Sequence, residues 1–270
     1  MTSTISSADE ASVTSMKLSG VELEVIRRGA GRPILFLHPE IGIASNLPVL
    51  DYLAEHGQLI APSHPGFMRS SLPRHFSNID DLAYFYLDLL ETLDLRDVVV
   101  VGSSLGAWVA AEMGIKSCER ISHFVLISPV GIKIGGPLDS SVVDVFVTDS
   151  EDFKGLAFAD PSKAPPEATR VSDEEAEVIA RNREATALYG WLPYMYDPKL
   201  RARLYRIKAR TLIVKGDQDG LISDAYVAQF VESIPGAQFT VVADAGHFPH
   251  LEQPEQLVKR ILAFIENRTS

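Results

Sequence analysis

Four consecutive valines run directly into a serine-containing turn in the stretch VVVVGSSLGAW, residues 98–108, and this junction limits the fold more than any other part of the chain. A β-branched run without polar alternation is typical of a strand buried on both faces of a parallel sheet. The residues that follow, LGAWVAAEM, favour a helix. Glycines two positions before and after Ser104 allow the strand and the helix to approach closely. The G-x-S-x-G spacing therefore places Ser104, and not Ser103, at the centre of a tight strand-to-helix turn.

Short β-branched runs alternate with longer helical patterns along most of the chain, which predicts an α/β fold with a mostly parallel sheet covered by helices. The first two strands have no helix between them and are expected to form an antiparallel hairpin at one edge. The predicted strands lie near 16–19, 22–27, 33–37, 58–62, 97–102, 122–128, 210–216 and 238–243. The predicted helices lie near 45–56, 78–93, 105–117, 222–233 and 254–266.

The alternation stops after the sixth predicted strand, and residues 131–206 form an acidic stretch interrupted by glycines and prolines. A long insertion between two core strands is predicted to be a lid rather than a separate domain. We refer to residues 131–206 as the insertion. The predicted core then comprises residues 16–130 and 207–270, and the small polar residues 1–15 are expected to be a disordered leader.

Charge and composition exclude several classes of function. The formal net charge of −11 argues against nucleic acid and anionic membrane surfaces as partners, because both attract basic proteins. Cys118 is the one cysteine, so an intrachain disulfide is excluded. The chain contains neither an apolar run of about 18–20 residues nor an N-terminal signal-peptide pattern. These features favour a cytoplasmic protein that acts on a small molecule; a homodimer is left open.

A serine hydroxyl is a weak nucleophile and needs an adjacent base. His247 follows a glycine after the last predicted strand, where a loop can bring its ring over the carboxyl edge of the sheet; His250 is the rival base. Asp217 and Asp219 both follow the preceding strand and can orient the imidazole. We favour Asp219, the fourth residue of a G-x-x-D loop. The chain order serine, acid, histidine is also that of one known arrangement of such groups.

Taken together, four segments resemble the α/β-hydrolase superfamily across nearly the whole chain, from about residue 16 to residue 266. They are GSSLG, GDQD, GHFPHLEQPE and APSHPGFMRSS. The resemblance implies a doubly wound, mostly parallel eight-stranded sheet with helices on both faces and a mainly helical lid after strand 6. It also implies that Ser104, Asp219 and His247 act as a catalytic triad. These motifs are specific for the fold and say little about the substrate.

The resemblance further implies an oxyanion hole made by the backbone N–H groups of Leu105 and of a residue in the loop after the third strand. In this chain that loop reads His38-Pro39-Glu40, where the family usually has His-Gly. Proline has no N–H to donate, but the donor is the following residue, Glu40, so the hole is retained. The Glu40 side chain either faces solvent or lines the pocket, where it favours substrates that carry hydrogen-bond donors.

Three functions are compatible with this sequence. The favoured one is a serine hydrolase acting on a small apolar carboxylic ester or lactone, without cofactor or metal. The second is a carbon–carbon bond hydrolase of the meta-cleavage type, although such relatives usually have Asn at the position of Ser103 and Trp at that of Phe248. The third is a non-catalytic ligand receptor on a hydrolase scaffold. The candidates for the substrate pocket are His38, Ser103, Phe146, Phe158, Trp191 and Phe248.

Overall fold

A computed structural model describes residues 12–136 and 139–266 of the chain. The strands in these ranges are β1 (Ser12–Leu18), β2 (Val21–Arg28), β3 (Pro33–Leu37), β4 (Gln58–Pro62), β5 (Val98–Ser103), β6 (Ile121–Ile127), β7 (Arg210–Gly216) and β8 (Gln238–Val242). The α-helices are α1 (Pro48–Ala54), α2 (Ile79–Thr92), α3 (Leu105–Lys116), α4 (Ser150–Ala157), α5 (Asp173–Gly190), α6 (Asp224–Ser233), α7 (Pro249–Glu252) and α8 (Pro254–Glu266).

The described strands form one eight-stranded sheet in the order β1-β2-β4-β3-β5-β6-β7-β8. Strands β3 to β8 run parallel to one another. The hairpin of β1 and β2 is antiparallel and joins the sheet through an antiparallel pairing of β2 with β4. The predicted α/β class, the mostly parallel sheet and the antiparallel edge hairpin are therefore confirmed.

The valine run of β5 is buried on both faces of the sheet, as its composition predicts. Val98 and Val100 pack in the cluster that contains the buried faces of α2, α3 and α6. Val99 and Val101 face the opposite way, into the cluster formed with α1 and α8. Burying each valine side chain contributes about 1.5–3 kcal/mol. Helices therefore cover both faces of the sheet, and β5 lies in the middle of the core.

The first strand begins earlier than predicted. It starts at Ser12, so residues 12–15, which were assigned to a disordered leader, belong to β1. These four residues, SVTS, are too few to show a strand pattern by themselves, and pairing with β2 supplies the order, as in the register of Ser12 with Arg27. Residues 1–11, the rest of the expected leader, lie outside the described residues.

Two helices differ from the prediction, one in its start and one in its presence. Helix α1 begins at Pro48 and not near residue 45, because proline fits the first helical turn and disfavours helix in the residue before it. The short α7 was not predicted; it follows the histidine loop and begins at Pro249. Helix α2 begins close to its predicted start, where Asn78 and Asp81 form a capping box.

The insertion contains α4 and α5 together with 3₁₀ turns at Pro161–Lys163, Ala168–Arg170 and Arg201–Arg206. Residues 137 and 138 of the insertion are outside the described ranges. Helix α5 begins with a capping box between Ser172 and Glu175. Of the helices that the structure describes, none combines the length and the hydropathy that a membrane span requires.

Candidate active site

The loops that follow β3, β5, β7 and β8 meet at the carboxyl edge of the sheet, because parallel strands bring their carboxyl ends to the same side. Ser104 follows β5, and its backbone has φ 48° and ψ −112°, in a region that residues other than glycine rarely adopt. A Cβ atom on Gly102 would overlap the carbonyl of Gly106, and one on Gly106 would overlap that of Leu37. The glycine spacing is therefore required by close backbone contacts around Ser104.

His247 lies between Ser104 and Asp219. Its Nε2 is 2.9 Å from the Oγ atom of Ser104, and its Nδ1 is 2.9 Å from Oδ2 of Asp219. All three residues are buried, with Ser104 and His247 each only 1% exposed. The ring can therefore accept the proton of the hydroxyl at one nitrogen while it donates a hydrogen bond to the carboxylate at the other.

The geometry distinguishes the two candidate acids. Asp219 is buried, and its Oδ1 accepts hydrogen bonds from the backbone N–H groups of Leu221 and Ile222, so its other oxygen is held toward His247. Asp217 is exposed and accepts the backbone N–H of Ala245. The structure thus brings Asp219, and not Asp217, against the imidazole.

The acid also determines how the imidazole titrates. Burial alone would lower the pKa of His247, but the facing Asp219 carboxylate outweighs burial and raises that pKa above its ordinary value of 6.5. The negative charge of Glu40 contributes in the same direction, and the positive charge of Lys215 opposes it. For Asp219, burial raises the pKa, and the contacts with His247 outweigh it so that the pKa is lowered. Attraction between the two groups therefore favours an imidazolium–carboxylate pair.

Ser103 and His250, the rival residues, form a second pair beside the first. The Ser103 Oγ atom lies 3.3 Å from Nδ1 of His250, and both residues are buried. Burial, with smaller contributions from the nearby His247 and His38, lowers the pKa of His250 to about 3. His250 is therefore neutral at physiological pH and packs against the rings of Phe36 and Phe248.

The two oxyanion candidates lie on elements that are packed together. Leu105 is the first residue of α3, where backbone N–H groups have no partner within the helix. Gly106 packs on the carbonyl groups of Leu37 and His38, which brings the loop carrying Glu40 against the start of α3. His38 connects this loop to the segment after β4, because its Nε2 accepts the backbone N–H of His64 at 2.8 Å.

A cavity of about 290 Å³ lies between the insertion and the loop after β3. Its wall is mostly apolar and includes Ile41, Phe146, Phe153, Phe158 and Ile179. Glu40 is part of this wall and is 7% exposed, so its side chain does not face solvent. Ser104 and His247 are not part of the wall. Glu40 is the residue that belongs both to the cavity and to the candidate oxyanion hole.

The predicted pocket residues separate into three groups. Phe146 and Phe158 line the cavity. His38, Ser103 and Phe248 are fully buried and do not line it. Trp191 is 52% exposed and lines a second pocket, which is formed by residues of the insertion.

The insertion holds the loops of the site through backbone hydrogen bonds that sequence reasoning missed. In α4, the carbonyl groups of Leu156 and Ala157 accept the N–H groups of Gly220 and His247 at 2.9 and 2.7 Å. In α5, the Oγ1 atom of Thr186 lies 3.3 Å from the carbonyl oxygen of Glu40 and 2.7 Å from that of Asn182, so the two carbonyl groups share one hydroxyl proton. Because the two α4 contacts use only backbone atoms, no residue type in the sequence indicates them.

Glu252 was also missed. It is buried, and its carboxylate accepts the N–H of Gly246 at 2.6 Å and that of Asp160 at 2.9 Å. It therefore ties the residue before His247 to the segment that follows α4. The signal available in the sequence was a glutamate five residues after the histidine, within the segment GHFPHLEQPE. In residues 12–136 and 139–266, no group of three or more His, Cys, Asp or Glu side chains is arranged to hold a metal ion.

Comparisons with known proteins agree with this architecture. The model of a family described as the alpha/beta hydrolase family matches residues 34–260. One curated relative is the dihydrolipoyllysine-residue acetyltransferase component of the acetoin cleaving system of Cupriavidus necator. It is 28% identical over 247 residues, and the match covers 87% of this chain. The chain spans 64% of the length of that relative.

Two solved structures illustrate the range of similar proteins. The meta-cleavage product hydrolase from Pseudomonas fluorescens IP01 aligns with a TM-score of 0.74 at 20% identity, covering 93% of this chain and 97% of that chain. The naproxen esterase from Bacillus subtilis aligns with a TM-score of 0.74 at 16% identity, covering 95% of this chain and 92% of that chain. At these identities, the likeness shows a shared fold.

Proposed function

Because the chain belongs to the alpha/beta hydrolase family, we propose that it is a serine hydrolase. Ser104 is the nucleophile, His247 the base and Asp219 the orienting acid. The observation that carries the proposal is the continuous hydrogen-bonded line from Ser104 through His247 to Asp219, with 2.9 Å at each step. A serine next to a base that is itself oriented by a carboxylate is the arrangement required for nucleophilic catalysis.

In the proposed reaction, His247 Nε2 takes the Ser104 proton as Oγ attacks the substrate carbonyl. The carbonyl oxygen becomes an oxyanion, which the backbone N–H groups of Leu105 and Glu40 stabilise. The intermediate collapses to an acyl-enzyme when the bond to the leaving alcohol breaks and the alcohol takes the proton from His247. A water molecule, deprotonated by His247, then attacks the acyl group and releases the acid and free Ser104.

The substrate proposed is a small carboxylic ester or lactone with an apolar body. The mostly apolar cavity wall supports this choice, since such walls bind apolar groups and a few polar groups fix their orientation. The insertion, which forms most of that wall, is proposed to act as a lid over the site. The similar fold of the naproxen esterase is consistent with the ester reading.

Carbon–carbon bond hydrolysis is the second candidate, and the fold shared with the meta-cleavage product hydrolase favours it. The surroundings of Ser103 speak against it. In the related enzymes an asparagine usually occupies this position, whereas Ser103 is buried here and faces His250. We therefore rank ester hydrolysis first.

The test combines labelling with kinetics. A fluorophosphonate probe is expected to label the wild-type protein and not the Ser104→Ala variant. Wild type is then assayed with p-nitrophenyl esters of increasing chain length and with a meta-cleavage dienone. Serine-dependent ester turnover supports the proposal, and dienone cleavage with weak ester turnover would move the protein to the second candidate. Absence of labelling in the folded wild type would favour the third reading, a non-catalytic receptor.

A further inference from the structure

The Glu40 side chain carries a buried oxygen atom with no partner. Its Oε2 is shielded from solvent and accepts no hydrogen bond from the residues that the structure describes. A buried carboxylate oxygen without a donor is unfavourable, and more so than a neutral acceptor, because charged groups lose more hydration energy on burial. Most buried polar groups in proteins are hydrogen-bonded, so this exception needs an explanation.

The position of Glu40 indicates where a partner would come from. Glu40 is part of the cavity wall, and the backbone N–H of the same residue is proposed to contact the substrate carbonyl oxygen. A donor that reaches the carboxylate therefore belongs to the portion of a bound substrate that lies a few bonds from that carbonyl group. The rest of the substrate would lie against Ile41, Phe146 and Phe158.

Neither cationic side chain of the cavity wall forms an ion pair with Glu40. Lys154 is already paired with Glu151 at 2.7 Å and with Glu167 at 2.6 Å. Arg183, the other cation of the wall, is exposed to solvent at its rim. The mostly apolar cavity wall thus includes a residue whose carboxylate has a buried oxygen without a donor, and a cationic donor complements both the charge and the hydrogen-bonding capacity of a carboxylate.

We propose that the Glu40 carboxylate binds a protonated amine of the substrate. The preferred class is then amino esters whose acyl part carries an ammonium group near the carbonyl and whose remaining part is apolar. The position of this amine relative to the ester rests on the proposed function, because Glu40 also supplies the proposed oxyanion N–H. Binding of the ammonium group itself does not require turnover.

The first experiment measures binding by calorimetry in the Ser104→Ala variant, so that no ester is consumed. The probes are three pairs of benzyl esters in which ammonium replaces a terminal methyl: glycinate with propanoate, 3-aminopropanoate with butanoate, and 4-aminobutanoate with pentanoate. In at least one pair, the amino ester is expected to bind about tenfold more tightly than its alkyl partner. Adding Glu40→Gln is expected to bring the two affinities within about twofold of each other.

Equal affinities in all three pairs, or no measurable binding of any amino ester, would overturn the proposal. A preference that survives Glu40→Gln would overturn it too. Glu167→Gln serves as the matched control, because this carboxylate also lines the cavity but already has Lys154 as partner; a loss of preference there would move the ammonium site away from Glu40. If Glu40→Gln fails to fold, Glu40→Asp, which keeps the charge but withdraws it, is expected to reduce the preference.

The second experiment compares kcat/KM for the same pairs in enzymes with intact Ser104. Glu40→Gln is expected to lower the ratio of amino-ester to alkyl-ester turnover by about tenfold. The ratio of amino-ester to alkyl-ester turnover is the readout because the wild type and Glu40→Gln have the same backbone N–H at position 40. If no ester is hydrolysed and the fluorophosphonate probe does not label Ser104, the proposed function fails, whereas the binding experiment still decides the role of Glu40.

Discussion

Two serine–histidine pairs lie side by side in this protein. Ser104 faces His247 at 2.9 Å, and the preceding residue, Ser103, faces His250 at 3.3 Å. All four residues are buried, and the two histidines are three positions apart in one loop. The side chains are therefore the same in kind and similar in burial, yet only one pair has the surroundings expected of a nucleophile and its base.

The difference is the third group and the backbone. Asp219 faces His247 and raises its pKa against the effect of burial. No such compensation acts on His250, so burial lowers its pKa to about 3. Ser103 ends β5 within the sheet, whereas Ser104 lies in the strained turn with φ 48°. A serine beside a histidine is thus not enough; the carboxylate behind the histidine distinguishes the two pairs.

Alanine substitution of each serine is the strongest test of the difference between the two pairs. Ser104→Ala is expected to lower kcat by about 10⁴-fold or more, because it removes the proposed nucleophile. Ser103→Ala is expected to change kcat by no more than about threefold, because it removes one contact with a neutral histidine. Ester kinetics test this, once both variants are shown to be folded to the same extent. A larger loss of kcat in Ser103→Ala than in Ser104→Ala would reverse the assignment of the pairs.

The carboxylate can be tested in the same way. Asp219→Asn is expected to lower kcat by about 10³- to 10⁴-fold, because an amide cannot hold His247 in the required tautomer or balance its charge. Asp217→Asn is the control, since that exposed side chain contacts a backbone N–H and not the ring. Similar losses in both variants, measured with one ester substrate, would show that the acid loop and not the Asp219 contact matters.

Glu252 is expected to affect the Ser104–His247 pair by holding the backbone of Gly246, the residue before His247. Glu252→Gln converts one accepting oxygen into a donor, which disrupts the contact with either Gly246 or Asp160. We expect kcat to fall by about 10- to 100-fold with little change in KM, because Glu252 does not line the cavity. Glu255→Gln, an exposed glutamate that pairs with Lys259, is the control. A change in KM alone would contradict a positioning role.

The pH profile gives the smallest effect. The base must be neutral, and the raised pKa of His247 keeps the ring protonated up to a higher pH, so kcat/KM should fall on acidification with a midpoint above 6.5. In Asp219→Asn, the largest contribution that opposes burial is removed, so the midpoint of the residual activity should move to lower pH than in the wild type. His250 does not contribute, because its pKa of about 3 lies below this range. A flat rate between about pH 5 and 8 would indicate another base.

The fold could be predicted from the sequence because its signals are local. The valine run of β5 and the glycines around Ser104 describe a buried strand and a tight turn without reference to the rest of the chain. The order of a serine, an acid and a histidine at strand ends then predicted which loops meet. The start of β1 could not be predicted, since this short segment is ordered by pairing with β2.

The surroundings of the candidate site depend on long-range contacts, and here the sequence left alternatives open. Whether Glu40 faces solvent depends on how the insertion covers it, including the contact of Thr186 with its carbonyl oxygen. The cavity positions of Phe146 and Trp191 likewise depend on the path of the insertion, and the two aromatic residues line different pockets. No periodicity in residues 131–206 encodes these distances.

The backbone bonds between the insertion and the sheet loops limit how this protein can be recombined. Helix α4 accepts the N–H groups of Gly220 and His247 through Leu156 and Ala157, and α5 contacts the carbonyl oxygen of Glu40. A chimera that exchanges the whole insertion for that of a relative would therefore replace the supports of three loops along with the cavity wall. A graft can instead retain residues 150–160 and Thr186 and exchange only cavity side chains such as Phe146 and Ile179. Such a graft is expected to change substrate preference while the loops keep their supports.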